Sequence, residues 1–223
     1  MNKYFFFIII LFVSCSTEEK YSNKKLNYLA LGDSYTVGEG VKYENSFPVQ
    51  LVNDLKFDGI KIDSINIIAK TGWTTSKLID SLSTYNNKKY DLVTLLIGVN
   101  NQYRDLNISD YIVEFENLLL RSISYSKNSN VFVLSIPDYG VTPFAVDMDR
   151  EKISKEIDEY NRINKEISKK YNIEYFNVTD ISRLAEFDST LLTNDRLHPS
   201  KKMYKMWVNK LKVKVSEVFL SGN

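Results

Sequence analysis

From residue 26 onward, short apolar runs alternate with longer amphipathic stretches, and this alternation narrows the possible folds more than any other property of the sequence. The runs at 26–31 and 91–97 are predominantly apolar, as in strands that are buried on both faces. Strands that alternate with helices form right-handed βαβ crossovers, which give a parallel sheet with helices on both faces. The pattern predicts strands at 26–31, 60–69, 91–97, 131–136 and 173–178, and helices at 46–56, 74–83, 108–127, 149–171 and 200–220.

The size and composition of the chain suit one α/β domain that needs neither a metal nor a disulfide. The 223 residues contain no internal repeat and no Gly/Pro-rich linker, which favours a single domain. One Cys and one His are too few for an internal disulfide or for a protein-built zinc site. Lys and Arg number 29 against 28 Asp and Glu, so no excess of positive charge favours binding to nucleic acid.

The N-terminal residues are typical of an export signal. Lys3 precedes an unbroken apolar run of ten residues at 4–13. Such a run makes only about 15 Å of helix, half of a bilayer core, and is too short for a stable membrane span. Ser14 and Cys15 follow the run and resemble the lipobox of bacterial lipoproteins, in which the Cys is acylated and becomes the mature N-terminus.

These features predict a signal peptide at 1–14, lipidation of Cys15, a polar tether over 15–25 and a folded domain over 26–223. Loss of Lys3 with the signal leaves 28 basic and 28 acidic side chains. We therefore expect an exported bacterial lipoprotein, periplasmic or on the cell surface, that is anchored to the membrane by lipid and not by a basic patch. An ordinary cleaved signal with an incidental Cys is the alternative.

Two residues have the chemistry for nucleophilic catalysis. Ser34 lies in Gly32-Asp33-Ser34, directly after the first predicted strand, at the edge where ligands bind to open parallel sheets. His198 is the only histidine of the chain, and Pro199 favours an extended backbone there, just before the last helix. A serine nucleophile needs a neighbouring base, and His is the usual one. Taken alone, the serine also fits simple turn chemistry, and the histidine fits a surface position at a helix start.

Three further residues can complete such a site. Asp195 stands three residues before His198, where a turn can bring its carboxylate to the Nδ1–H of the imidazole and leave Nε2 free. Gly72 and Asn100 follow the second and third predicted strands. A backbone N–H and a side-chain amide at these positions can stabilise an oxyanion. A glycine required by a turn and an asparagine in an Asx-turn are the alternatives.

In this chain order, the four features resemble the blocks of the SGNH/GDSL hydrolase superfamily, which contribute Ser, Gly, Asn and His. The resemblance spans the domain at 26–223 and implies an α/β fold, a flavodoxin-like three-layer α/β/α sandwich with a five-stranded parallel sheet. The third block commonly reads Gly-x-Asn-Asp, and here Asn101 replaces the Asp. The resemblance also implies that Ser34 is the nucleophile, that His198 is the base and that Asp195 is the acid that orients the base. It further implies an oxyanion hole formed by the N–H groups of Ser34 and Gly72 and the side chain of Asn100.

The implied reaction is ester hydrolysis through an acyl-serine intermediate, without a cofactor. We expect a small-molecule ester as substrate, with a short acyl or acetyl group, including acetyl esters of carbohydrates. A lysophospholipase or thioesterase is the second choice, and a surface lipoprotein that keeps the fold only for binding is the non-enzymatic alternative. Five aromatic residues near the predicted catalytic edge are candidates for the walls of the substrate site: Tyr35, Trp73, Tyr103, Tyr139 and Phe144.

Overall fold

Five strands form one sheet in which every neighbouring pair is parallel, in the order β2-β1-β3-β4-β5. The structure, a computed structural model, describes residues 25–85 and 88–221, so the predicted signal peptide and Cys15 lie outside the described residues. This strand order is that of flavodoxin-like folds. The predicted fold is therefore confirmed. The strands are β1 (Leu26–Gly32), β2 (Ile62–Ala69), β3 (Leu92–Leu96), β4 (Val131–Leu134) and β5 (Glu174–Phe176).

The register of the first three strands brings their carboxyl ends to one level. Gly32 at the end of β1 pairs with Ala69 at the end of β2 and with Leu96 at the end of β3. The central strands β3 and β4 are buried along their whole length, whereas β2 at the edge is half-buried. The segments that follow β1, β2 and β3 consequently start side by side at the same edge of the sheet.

Helices cover both faces of the sheet. One face carries α2 and α8, which pack together, and the other carries α5, which packs against α3 and α6. The longer helices agree with the predicted ones to within about two residues, a normal margin for helix ends. The helices are α1 (Ser34–Val37), α2 (Phe47–Phe57), α3 (Thr75–Ser81), α4 (Val99–Tyr103), α5 (Ile108–Tyr125), α6 (Arg150–Lys170), α7 (Thr179–Arg183) and α8 (Lys201–Ser221).

Local capping explains where several of these helices begin. The side chain of Asn107 accepts a hydrogen bond from Ser109 N at 2.8 Å at the start of α5, and Asp149 accepts one from Lys152 N at 3.0 Å at the start of α6. Such caps satisfy N–H groups that a helix leaves unpaired at its first turn. Across 25–85 and 88–221, no helix is both long enough and apolar enough to cross a bilayer.

Helix α8 packs its first turns against the segment that follows β1. Trp207 is fully buried, and its ring lies 5.0 Å from the ring of Tyr204 and 6.4 Å from that of Tyr35. The Tyr204 hydroxyl donates to the carbonyl of Tyr35 at 3.0 Å. The beginning of the last helix, just after His198, is thus attached to the turn that carries Ser34.

Candidate active site

Ser34 lies at a tight turn between β1 and α1. At Gly32 a Cβ would come within 2.3 Å of the Leu96 carbonyl, so only glycine allows β1 to approach β3 this closely. Asp33 caps α1, and its Oδ1 accepts a hydrogen bond from Tyr35 N at 3.0 Å. Ser34 is the first residue of α1, so its N–H is one that the helix itself leaves unused.

The carboxyl of Asp33 is fully buried beneath this turn. Its Oδ2 has no hydrogen-bond partner within the described part of the chain. Burial raises the pKa of Asp33 to about 7, against the opposing effect of backbone N–H groups that include those of Tyr35 and Gly98. In mildly acidic solution the carboxyl of Asp33, below the serine, is therefore a neutral acid. The sequence did not predict this property, because burial depends on the whole fold.

A turn before α8 holds His198 at the same edge of the sheet. The carbonyl of His198 accepts a hydrogen bond from Thr193 N at 2.8 Å, and Leu192 and Pro199 form an antiparallel bridge. Nδ1 of His198 lies 2.7 Å from Oδ2 of Asp195. A carboxylate at that distance favours the tautomer with the proton on Nδ1, which leaves Nε2 as an acceptor.

The Asp195 carboxylate is held by several donors at once. Its Oδ1 accepts hydrogen bonds from Thr193 Oγ1 at 2.6 Å, Leu197 N at 2.9 Å and His198 N at 3.0 Å. Partial burial raises the pKa of Asp195, but these donors and the imidazole outweigh burial and hold the pKa well below its usual range. Asp195 therefore stays ionised beside the imidazole. Sequence reasoning overlooked Thr193, although its place two residues before Asp195 was a usable local signal.

The imidazole of His198 is also oriented by an aromatic ring. Its side chain is 11% exposed. The ring of Tyr35 meets it edge-on, with 5.7 Å between the ring centres. Tyr35 is itself 2% exposed, so it supports the imidazole from behind more than it forms an open wall.

The turn after β2 and helix α4 after β3 come together at the predicted oxyanion positions. Gly72 has φ +82°, a left-handed conformation that favours glycine. Nδ2 of Asn100 donates to the carbonyl of Trp73 at 3.0 Å. An amide nitrogen carries two hydrogens, so this bond leaves the second available to a ligand.

One cleft of about 170 Å³ joins these groups. Four of the residues predicted for catalysis or oxyanion binding line it directly, and Asp195 stands behind His198. Thr71, Val99 and Leu197 also line the cleft and were not among the predicted residues; each is the neighbour in sequence of one that was. The full lining is Ser34, Tyr35, Thr71, Gly72, Val99, Asn100, Tyr103, Tyr139, Phe144, Leu197 and His198.

Three of the predicted aromatic residues form one wall of the cleft. The ring of Tyr103 lies 5.9 Å from that of Tyr139 and 6.2 Å from that of Phe144, and the last two rings are 6.3 Å apart. The side chain of Trp73, also predicted as a wall, is not among those that line this cleft. Past the turn at Gly72 that side chain packs, partly buried, against the core.

Within residues 25–85 and 88–221, no group of three or more His, Cys, Asp or Glu side chains is placed to hold a metal ion. The cleft combines the hydroxyl of Ser34, the imidazole of His198 and the hydrogen-bond donors of Gly72 and Asn100 with a largely apolar lining. On a flavodoxin-like sheet, this arrangement is typical of hydrolases that act on esters.

Comparison with known families identifies the family to which the chain belongs. Residues 30–206 match the model of the GDSL-like Lipase/Acylhydrolase family, so the chain belongs to this family and is a carboxylic ester hydrolase. Membership also argues against the non-enzymatic alternative. A comparison with curated proteins gave no match.

Solved structures share the fold at low sequence identity. The esterase EstA from Pseudoalteromonas sp. is 19% identical, with a TM-score of 0.63 over 87% of this chain and 99% of that one. An acetyl xylan esterase from Geobacillus stearothermophilus is 18% identical, with a TM-score of 0.68 over 85% and 94% of the two chains. Phospholipase A1 from Streptomyces albidoflavus is 18% identical, with a TM-score of 0.65 over 86% and 100%. These likenesses concern the fold alone.

Proposed function

We propose that the protein hydrolyses short acyl or acetyl esters, including those of carbohydrates, through an acyl-serine intermediate on Ser34. The observation that carries the proposal is that Ser34 and His198 line one small cleft while Asp195 binds Nδ1 of the imidazole at 2.7 Å. A nucleophile, a base and a group that orients the base are the three parts that such chemistry needs.

In the first half of the reaction, Ser34 Oγ attacks the carbonyl carbon of the ester while Nε2 of His198 accepts the hydroxyl proton. The carboxylate of Asp195 stabilises the imidazolium that forms. The carbonyl oxygen becomes an oxyanion between the N–H groups of Ser34 and Gly72 and the amide of Asn100. Each such donor typically contributes about 3–4 kcal/mol to the transition state. The imidazolium then gives its proton to the leaving alcohol.

In the second half, water takes the place of the alcohol. His198 removes a proton from the water, which attacks the acyl-serine carbon, and the same donors bind the second oxyanion. When this intermediate collapses, the imidazolium returns the proton to Ser34 Oγ and the carboxylic acid leaves. The chain's own groups and water account for every proton moved.

The size and lining of the cleft support a short acyl group. Its volume of about 170 Å³ is below the roughly 300–1,000 Å³ of sites for drug-sized ligands. Val99, Leu197 and the three rings of Tyr103, Tyr139 and Phe144 make it largely apolar. An acetyl or similarly small acyl group suits that space.

Exposed apolar side chains beside the cleft favour a second candidate, a lysophospholipase or thioesterase. Phe144 lines the cleft, and its neighbour Pro143 lines a second depression together with Val146 and Phe187. Val146 is 68% exposed and Phe187 is 86% exposed. A long acyl chain that leaves the cleft on this side would cover them.

A series of p-nitrophenyl esters from acetate to laurate, hydrolysed by the full chain and by Ser34→Ala, tests both candidates. We expect kcat/KM to be highest for the shortest esters and to fall by about tenfold or more by octanoate. We expect Ser34→Ala to lower the rate by about 10⁴-fold or more. Equal rates for the two proteins would exclude Ser34 as the nucleophile, and a preference for laurate would select the second candidate.

We also propose that the chain is an exported bacterial lipoprotein, anchored through lipid on Cys15. The support is the sequence: the apolar run at 4–13 and the small residue Ser14 directly before the only cysteine. A single acyl chain binds membranes only marginally, so stable anchoring needs more than one.

A further inference from the structure

The turn that carries the proposed oxyanion donor of Gly72 is held in place by a residue at the end of α4. Nη2 of Arg104 donates a hydrogen bond to the carbonyl of Gly72 at 2.7 Å. The same helix carries Asn100, which bonds to the next carbonyl, that of Trp73, at 3.0 Å. Residues four apart lie on the same side of a helix. Two consecutive carbonyls of the turn are therefore bound from one side of α4.

Gly72 needs such external support because its own backbone is permissive. Without a Cβ, a glycine occupies several backbone conformations at similar free energy. The turn has one internal hydrogen bond, from Trp73 N to Lys70 O at 3.1 Å, and Thr71 contacts Glu39 through its hydroxyl. The N–H and the carbonyl of Gly72 belong to adjacent peptide units. Because the two units share the Cα of Gly72, a bond that fixes the carbonyl also restrains the rotation that would turn the N–H out of the cleft.

We propose that Arg104 is a positioning residue, which keeps the N–H of Gly72 directed at the oxyanion. This inference rests on the proposed function. Arg104 acts through the carbonyl of Gly72, and the N–H of that glycine interacts with the substrate oxygen most strongly in the transition state. Loss of the contact should therefore lower kcat and leave KM nearly unchanged.

The surroundings of Arg104 leave it free for this task. It is exposed and forms no ion pair with any carboxylate among the described residues, so no acidic partner competes with the carbonyl of Gly72. Its charge also favours negative charge that develops nearby. A lysine retains both the charge and one donor, whereas a methionine retains the length of the stem alone.

The test compares Arg104→Met and Arg104→Lys with the wild-type full chain, using p-nitrophenyl acetate. Arg121→Met is the matched control, because Arg121 bonds to Asn117 on its own helix, away from the cleft. We expect Arg104→Met to lower kcat by about 10- to 100-fold, with KM within about twofold of wild type. Arg104→Lys should recover much of the loss, and Arg121→Met should behave as wild type. Amide hydrogen exchange at Trp73, whose N–H bonds to Lys70 O within the turn, should be faster in Arg104→Met alone.

Each other outcome overturns a defined part of the account. A wild-type kcat in Arg104→Met would overturn the positioning role. A loss of kcat/KM that comes from a raised KM would overturn it as well, and would make Arg104 a substrate contact. If the wild type is no faster than Ser34→Ala, the proposed function fails instead. Exchange at Trp73 then still decides whether Arg104 holds the turn, because unchanged exchange in Arg104→Met would overturn that role.

Discussion

Asn101 and Thr75 exchange two hydrogen bonds where α4 meets the start of α3. Oδ1 of Asn101 accepts from Thr75 N at 3.0 Å, and its Nδ2 donates to Thr75 Oγ1 at 2.6 Å. The hydroxyl of Thr75 in turn donates to Glu114 on α5. The position that departs from the usual Gly-x-Asn-Asp pattern thus belongs to a polar network with Thr75 and Glu114.

We expect Asn101→Asp to destabilise the protein. The single hydroxyl proton of Thr75 is directed at Glu114, so a carboxylate at position 101 would face an oxygen lone pair instead of donating to it. Asn101 and Thr75 are buried. An unsatisfied contact of this kind costs about 1–3 kcal/mol, which urea unfolding at neutral pH can measure.

The double variant Asn101→Asp with Glu114→Gln is the control. A glutamine amide can donate to Thr75 Oγ1, which frees the hydroxyl proton for the new carboxylate. Stability should return to within about 1 kcal/mol of wild type. If the double variant loses as much unfolding free energy as the two single variants together, the network does not couple these residues.

The buried carboxyl of Asp33 should make stability depend on pH. Burial raises its pKa from 3.8 to about 7, so the folded protein retains a proton that the unfolded chain releases. Between these values the folded state binds more protons, and the free energy of unfolding therefore falls as the pH rises from about 4 to about 7. A shift of this size corresponds to about 4 kcal/mol.

Asp33→Asn isolates that effect, because asparagine keeps the helix cap and removes the titrating group. Urea unfolding of both proteins from about pH 4 to about pH 7 should show a steeper loss of stability in the wild type. Parallel curves would mean that Asp33 does not carry the proton assigned to it.

We expect Asp195→Asn to lower kcat by about 10³- to 10⁴-fold with little change in folding. The amide oxygen can still accept from Thr193, Leu197 and the His198 N–H, so the amide NH₂ turns toward Nδ1 of the imidazole. Nδ1 must then act as an acceptor, which places the ring proton on Nε2 and removes the base. Asp188→Asn is a suitable control, because Asp188 likewise binds a threonine hydroxyl but no histidine. Equal kcat in the two variants would exclude the assigned role of Asp195.

Sequence reasoning found the strands and long helices because their apolar patterns extend over several residues. It also placed Ser34, Gly72, Asn100 and His198 at one edge, since each follows a strand or precedes the last helix. The short helices α1, α4 and α7 escaped because four or five residues show no helical period.

The remaining features depend on contacts between distant segments. The bond from Arg104 to Gly72 joins residues 32 apart, and that from Thr75 to Glu114 joins residues 39 apart. The side chain of Trp73, one of the predicted walls, packs partly buried against the core. No local pattern encodes these outcomes.

The proposed anchor makes a prediction about localisation. Cys15→Ser removes the acyl acceptor, so the protein should move from the membrane fraction of the producing bacterium to the soluble one. Ser16→Ala, one residue later, is the control and should leave partitioning unchanged. Identical distribution of wild type and Cys15→Ser would leave an ordinary cleaved signal as the explanation.

Covalent labelling tests the role of Ser34 most directly. A fluorophosphonate resembles the tetrahedral intermediate and reacts with an activated serine, and mass spectrometry of the digested protein locates the adduct. The account predicts one adduct per chain on the peptide that contains Ser34, none in Ser34→Ala, and slow labelling in His198→Ala. An adduct on a different residue, or labelling of Ser34→Ala at the wild-type rate, would contradict it.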